Sequence, residues 1–254
     1  MSIKFIILTT QRTGSTFLAH LLSSHNQIEC YSELFQKDLV NRSKRAKVAK
    51  HFEIGYEKYK NKSIIAKINH QFFPKQLINK YLTEIYTSPT HVNAVGFKFM
   101  YSQDRMIPEV LQWVRNNGVK VIHNTRLNLL KTLVSRETAR KRGIWASDEK
   151  LPIVKINLDI HKLKLELEKM EKKVSHYRDW CRETDNIEVS YESLINNQKE
   201  EIQTILEFLE IPSSGLLTTD IVKMNSDNLR DIVENYEEVC DTLRGSNFEQ
   251  LLDK

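Results

Sequence analysis

The sequence predicts an α/β fold of three layers, with helices on both faces of a central parallel sheet. Short apolar runs alternate with longer amphipathic segments, which is the pattern of parallel β-α-β units. Apolar residues make up 40% and charged residues 28% of the chain, a mixture that excludes the fibrous and disordered classes. The 254 residues contain neither an internal repeat nor a Pro/Gly-rich linker, so we expect one domain over residues 1–254.

In the first half of the chain, polar turns separate the apolar and amphipathic segments into elements. Short apolar runs that end at polar residues predict strands at Lys4–Leu8, Ser63–Asn69 and Asn93–Phe99. Amphipathic spacing predicts a helix at Ser15–Ser24 and a second at Ile107–Asn117. The second helix has a proline in its first turn and a glycine directly after it, which are typical start and stop signals.

The second half of the chain continues the alternation. It contains predicted strands at Val119–His123 and Ile187–Ser190 and a predicted helix at Leu127–Arg142. Between Asn157 and Thr184, apolar residues recur at alternating spacings of three and four and form one helical stripe: Ile160, Leu163, Leu167, Met170, Val174, Tyr177 and Cys181. We interpret this segment as a long helix packed on its own domain, and the stripe leaves a homodimer open.

The charge balance indicates an anionic ligand. Lys and Arg number 38 against 33 Asp and Glu, for a net charge of +5, which is too small to predict a nucleic-acid partner. A basic run extends from Lys37 to Lys50. It is interpreted either as a solvated helix face or as a basic rim that attracts an anionic cosubstrate or acceptor.

The cysteines and the apolar runs bear on location. Cys30, Cys181 and Cys240 fit neither a disulfide framework nor a zinc pattern, so we expect reduced thiols in a cytoplasmic protein. Each apolar run is shorter than the ~18–20 residues of a membrane span, which predicts that the chain has no transmembrane segment.

The segment between the first strand and the first helix is the most informative part of the chain. It contains one glycine, Gly14, in a polar turn that directs backbone N–H groups and a helix N-terminus at one point. Such a point binds phosphate or sulfate. Thr13, Ser15 and Thr16 add hydroxyl groups, and Arg12 adds a guanidinium fork. The alternative is an ordinary strand-to-helix turn capped by Thr13.

This loop differs from the ATP-binding loop G-x-x-x-x-G-K-[ST]. Thr9 occupies the position of the first glycine, and Ser15 occupies the position of the lysine. The later strands run into Met100 and into Asn124-Thr125-Arg126, without the aspartate that holds magnesium in that class. An arginine without a magnesium carboxylate favours a ligand whose transfer needs no metal.

The loop resembles a known family. Gln11–Leu18 is similar to the 5′-phosphosulfate loop of sulfotransferases that use 3′-phosphoadenosine 5′-phosphosulfate (PAPS), and the similarity continues through Ser24–Asn26 and Tyr31–Phe35. Arg126 at a strand end, followed nine residues later by Ser135, resembles the family's 3′-phosphate site. The order is similar to that of the bacterial carbohydrate and natural-product branch, of the trehalose and Nod-factor type, and it also resembles tyrosylprotein sulfotransferases.

Three further segments are similar to the bacterial branch, the last of them loosely: Gly96–Met100, Gly143–Trp145 and Leu243–Gly245. Residues 36–90, where we expect an acceptor to bind, match no pattern that we can name. The resemblance implies a P-loop-like sulfotransferase fold and PAPS as cosubstrate, with no metal. By the same resemblance, the residues that bind the cosubstrate are Arg12, Thr13, Gly14, Ser15, Thr16, Phe17, Arg126, Ser135 and, more weakly, Arg244.

The resemblance also implies roles in catalysis. Glu33 matches the family's general base, Arg12 would stabilise charge on the leaving-group oxygen, and Lys98 would contact the sulfuryl group or the acceptor. Met100 stands where aryl sulfotransferases have a catalytic histidine, which favours Glu33. The alternatives are a surface Glu33, an Arg12 paired with a carboxylate, an Arg126 that is a mere strand-end charge, and a Lys98 that extends its ammonium to solvent.

The expected function is in-line transfer of a sulfuryl group from PAPS to a hydroxyl or amine of a small acceptor such as a carbohydrate, glycolipid or natural product. Two alternatives stay open at this point. One is a P-loop-type kinase for a small molecule or nucleotide, and the other is a non-catalytic binder of nucleotides or nucleic acid.

Overall fold

A computed structural model describes residues 2–36, 54–87, 91–145, 151–213, 217–219 and 228–252. The basic run from Lys37 to Lys50, which we interpreted as a helix face or a basic rim, lies outside these residues. Within the described ranges, no helix is both long and apolar enough to cross a membrane.

The centre of the fold is a five-stranded parallel sheet in the order β2-β3-β1-β4-β5. Its strands are β1 (Ile3–Thr9), β2 (Ile28–Tyr31), β3 (Ala94–Met100), β4 (Lys120–Thr125) and β5 (Asn186–Ser190). Strand β1 is central, and the chain places β2 and β3 on one side of it and β4 and β5 on the other. This arrangement creates a switch point, and ligands bind beyond the carboxyl ends of the strands at such points.

Helices cover both faces of the sheet and confirm the predicted three layers. They are α1 (Ser15–Ser23), α2 (Tyr56–Asn61), α3 (Ile64–Phe72), α4 (Pro74–Thr87), α5 (Tyr101–Asp104), α6 (Glu109–Asn116), α7 (Leu129–Arg142), α8 (Ile160–Cys181), α9 (Tyr191–Asn196), α10 (Gln198–Phe208) and α11 (Tyr236–Leu243). Alternate residues of β1 supply the two cores. Ile6 and Leu8 pack towards α4 and α6, whereas Phe5 and Ile7 pack towards α1 and α10.

One predicted strand is wrong, because Ser63–Asn69 forms the start of helix α3 instead of a strand. The side chain of Ser63 accepts the backbone N–H of Ala66 at 3.1 Å and caps the helix. The apolar residues of this segment also fit a helical spacing, and a short apolar run does not distinguish the two structures by itself.

The long helix is confirmed as α8, and its apolar stripe faces the rest of the chain. Leu163 and Leu167 belong to a core formed with α7 and α11, and Tyr177 and Cys181 belong to the core beside β3 and β4. The stripe on which the homodimer hypothesis rested is therefore packed within the chain itself.

Candidate active site

The loop after β1 has the backbone of an anion-binding turn. Arg12 and Gly14 both have a positive φ, of 66° and 76°, and α1 begins at the next residue, Ser15. A Cβ at Gly14 would lie 2.5 Å from the ring of Tyr191, so the backbone conformation and the close contact both require glycine. The N-cap residue of α1 is Gly14, which has no side chain that could accept a hydrogen bond from the first backbone amides of the helix. The positive end of the helix dipole then favours an anion.

Hydroxyl groups fix this loop to the neighbouring strand. The Oγ1 atoms of Thr9 and Thr13 lie 2.6 Å apart, and Thr9 donates to the backbone oxygen of Asn124 at 2.9 Å. The Thr13 hydroxyl also lies 3.1 Å from Oδ1 of Asn124 on β4. Thr13 is therefore buried, and its hydroxyl is hydrogen-bonded within the protein.

On the β3 side of the loop, one predicted residue, Lys98, contacts two others. The buried Lys98 Nζ lies 2.9 Å from Oε1 of Glu33 and donates to Oγ1 of Thr16 at 3.1 Å. Glu33 lies two residues beyond the end of β2, and Thr16 is in the first turn of α1. The Lys98 ammonium does not extend to solvent, because it bridges the carboxylate and the start of the helix.

On the β4 side, Arg12 meets two residues predicted for a phosphate. Its Nε donates to Oγ of Ser135 at 2.9 Å, and its Nη1 donates to the backbone oxygen of Trp145. Nη1 of Arg126 in turn donates to the backbone oxygen of Arg12 at 3.3 Å. The side-chain hydrogen bonds of Arg12 within the described residues thus go to neutral oxygens and not to a carboxylate.

Positive charge is concentrated on this side of the site. Burial first, and then the nearby guanidinium groups of Arg126 and Arg142, together lower the pKa of Arg12 to about 10. The Arg142 Nη2 donates to the backbone oxygen of Pro152 at 2.8 Å, while its Nη1 is buried without a hydrogen-bond partner among the described residues. Charges of one sign held together in this way favour an anionic ligand.

The other predicted residues differ in their placement. Ser15 is the buried first residue of α1. Phe17 packs against the core that α1 and α10 form on one face of the sheet. Arg244 is exposed just after α11, and its guanidinium pairs with Asp241 at 2.9 Å.

A small cleft opens beside the loop, and its lining includes residues that no sequence pattern indicated. Residues of α8 contribute to the lining together with residues from the loop, from just after β4 and from α5 and α7: Thr10, Thr13, Tyr101, Arg126, Leu129, Thr132, Met170, Lys173 and Val174. Burial, followed by the charge of Arg105, lowers the pKa of Lys173. Lys173 lies next to a stripe that helical spacing assigns to the core, so no sequence signal pointed to it.

A series of side-chain hydrogen bonds begins at Tyr101, one of the residues that line this cleft. The Tyr101 Oη lies 2.6 Å from Nε2 of His123, whose Nδ1 lies 3.3 Å from Oε2 of Glu188. Arg178 donates to both carboxylate oxygens of Glu188, at 2.7 and 2.6 Å. Burial lowers the pKa of His123, so its imidazole is neutral and fixed by Glu188. These contacts join residues distant in sequence, which explains why no local motif reveals them.

Fold and site together define an α/β protein whose candidate anion-binding loop lies at the carboxyl edge of its sheet, between a carboxylate–lysine pair and an arginine cluster. Comparison with known families identifies the class further. Residues 5–215 match the sulfotransferase family, so the chain belongs to that family, as its loop predicted.

One solved structure agrees on the fold, and a second matches with a lower TM-score. The sulfotransferase domain from the curacin biosynthetic pathway is 15% identical, with a TM-score of 0.52, and the match covers 100% of this chain and 90% of that one. A sulfotransferase from Alicyclobacillus acidocaldarius is 13% identical, with a TM-score of 0.47 and coverage of 100% and 98%. A comparison with curated protein sequences gave no match.

Proposed function

We propose that this sulfotransferase moves a sulfuryl group from PAPS to a hydroxyl or amine of a small acceptor, with Glu33 as general base. The observation that carries the proposal is the contact of one buried ammonium, on Lys98, with both Glu33 and Thr16. It joins a carboxylate suited to deprotonate an acceptor to the helix start suited to hold a sulfated phosphate. Acceptor and donor would therefore meet at Lys98.

The donor side fits a nucleotide with two anionic ends. The amides at the start of α1 and the Thr16 hydroxyl suit the 5′-phosphosulfate. Arg126 and Ser135, with Arg12 between them, suit the 3′-phosphate. The buried Nη1 of Arg142 lacks a hydrogen-bond partner in the described chain and suits a further anionic oxygen. Arg244 is a weaker candidate, since its guanidinium already pairs with Asp241.

The reaction then needs few parts. Glu33 accepts the proton of the acceptor while the acceptor oxygen or nitrogen bonds to sulfur and the bond from sulfur to the phosphate oxygen breaks. The leaving product is adenosine 3′,5′-bisphosphate, whose new charge faces Lys98 and the α1 N-terminus. Arg12 remains protonated at neutral pH despite its lowered pKa of about 10, so it contributes positive potential and no proton. Positioning and electrostatics supply the catalysis.

Calorimetric titration tests the donor. The purified chain is titrated with adenosine 3′,5′-bisphosphate, with adenosine 5′-phosphate, and with ATP in the presence and absence of magnesium. We expect the bisphosphate to bind about 10–100 times more tightly than the monophosphate, independently of magnesium, because a bidentate charged contact is worth ~1.5–3 kcal/mol. A preference for ATP with magnesium would overturn the proposal and favour a kinase. Radiolabelled PAPS then allows carbohydrates, glycolipids and other small metabolites to be screened as acceptors.

A further inference from the structure

Helix α3 carries its large apolar side chains on its outer surface. Ile64, Ile65 and Phe72 are 77%, 71% and 64% exposed, and Ile68 and Phe73 are exposed beside them. We call these five residues the α3 patch. The side of α3 that faces the protein has instead the small Ala66 and the polar His70, whose Nδ1 lies 3.2 Å from Oη of Tyr56. A helix on the surface of a globular protein normally has the opposite arrangement.

The charge around the α3 patch is mainly positive, and Glu57, which pairs with Lys60, directly precedes the lysine-rich stretch. Between positions 58 and 83 the sequence contains no Asp or Glu, but it contains six lysines: Lys58, Lys60, Lys62, Lys67, Lys75 and Lys80. Lys67 is on α3 itself, and Lys75 follows the patch by two residues. An apolar patch with a rim of ammonium groups complements a surface that is anionic outside and apolar beneath.

These observations favour a lipid surface over a second copy of the chain. A symmetric dimer through the α3 patch would bring two such lysine sets against each other, which costs energy at every facing pair. The high exposure of Ile64 and Ile65 also leaves their side chains accessible for insertion among lipid headgroups. We propose that the α3 patch docks this protein on an anionic lipid bilayer, with the apolar side chains below the headgroups and the lysines among the phosphates.

Docking there would hold the candidate site close to the bilayer. Tyr56, which contacts α3 through His70, donates its backbone N–H to the carbonyl of Leu34 at 2.8 Å. Leu34 is adjacent to Glu33, so α3 is connected to the proposed base through two hydrogen bonds. The lipid proposal goes beyond the proposed reaction and does not depend on it.

Vesicle sedimentation with the full chain tests the proposal. We expect binding to vesicles that combine phosphatidylcholine with phosphatidylglycerol, much weaker binding to phosphatidylcholine alone, and release by salt. The triple variant Ile64→Gln, Ile65→Gln and Phe72→Gln should lower the partition coefficient at least ~10-fold, because the apolar insertion is lost. Lys67→Gln and Lys75→Gln should each lower it about fivefold. The matched control is Leu165→Gln, since Leu165 is a 51% exposed apolar residue of α8 and should not matter.

Three results would overturn lipid docking. The first is a wild-type chain that does not bind the anionic vesicles, and the second is a triple variant that binds them as well as wild type. The third is a chain that does not bind vesicles but uses the patch in another way. Light scattering would then detect patch-dependent self-association, or an acidic amphipathic peptide would bind at the patch. Unchanged thermal unfolding and unchanged binding of adenosine 3′,5′-bisphosphate show that each variant is folded. If that nucleotide fails to bind even wild type, the reaction proposal fails while the lipid result still stands.

Discussion

Replacing Glu33 with glutamine removes the proposed base and preserves the shape of the side chain. The amide oxygen of Glu33→Gln can still accept from the Lys98 ammonium, which lies 2.9 Å from the carboxylate in the structure. The Glu33 side chain is 23% exposed but the Lys98 side chain is only 7% exposed, so the lost ion pair should lower the free energy of unfolding by about 1–3 kcal/mol, and urea unfolding checks that the variant remains folded. A fall in turnover can then be assigned to lost chemistry.

The expected loss is large. A positioned general base contributes ~10²–10⁴-fold, which corresponds to about 3–5 kcal/mol of barrier. We therefore expect turnover with radiolabelled PAPS and an acceptor from the screen to fall ~100-fold or more, while the affinity for adenosine 3′,5′-bisphosphate changes less than ~3-fold.

The chain offers a matched control in Glu57. This carboxylate also pairs with a lysine, Lys60, at 2.9 Å and is 29% exposed, but it lies on α2 and is no part of the candidate site. Glu57→Gln should leave turnover unchanged. Turnover of Glu33→Gln within a few-fold of wild type would show that Glu33 is not the base. An equal loss of nucleotide affinity would show that its role is to position Lys98.

Other predictions concern the donor site, the loop and the buried histidine. Arg126→Ala should weaken calorimetric binding of adenosine 3′,5′-bisphosphate ~10–100-fold but hardly that of adenosine 5′-phosphate, and an equal loss for both would remove Arg126 from the 3′-phosphate site. Gly14→Ala, with φ of 76° and Tyr191 at 2.5 Å, should lower the free energy of unfolding in urea by at least ~1 kcal/mol; an unchanged midpoint would contradict the strain. His123 has a lowered pKa in the folded chain, so its contribution to stability is complete above its unfolded pKa of about 6.5 and declines as the pH falls below it. Urea midpoints at several pH values should therefore fall less steeply in acid for His123→Gln than for wild type, and parallel curves would refute this linkage.

The sequence was sufficient for the parts of the molecule that local pattern determines. Alternating apolar runs predicted β1, β3, β4 and β5, because the first three are short buried strands between polar turns and β5 is a short partly buried edge strand. The loop with Gly14 was predictable because left-handed backbone beside a helix start has few sequence solutions. The error at Ser63–Asn69 has a physical cause, since α3 exposes its apolar side chains and so violates the rule on which the prediction depends.

The rest depends on contacts across the fold. Arg142 joins the arginine cluster only because α7 ends near the loop, and Lys173 reaches the cleft only because α8 crosses beside it. Both residues lie in basic helical segments where a solvated lysine or arginine is the ordinary expectation. The spacing of residues along the chain does not indicate which of several lysine or arginine side chains on a helix faces a ligand.

The position of β1 at the centre of the sheet has an evolutionary consequence. Glu33 and Lys98 come from the β2–β3 side, whereas Arg126 and Ser135 come from the β4–α7 side, and the loop after β1 lies between them. The two halves of the candidate site are thus encoded by separate stretches of the gene. In the proposed reaction, with the acceptor expected at residues 36–90, substitutions or insertions in that stretch would diversify the compounds that are modified and leave the nucleotide half under separate selection. A chimera that exchanges that stretch between relatives would transfer acceptor preference as a unit.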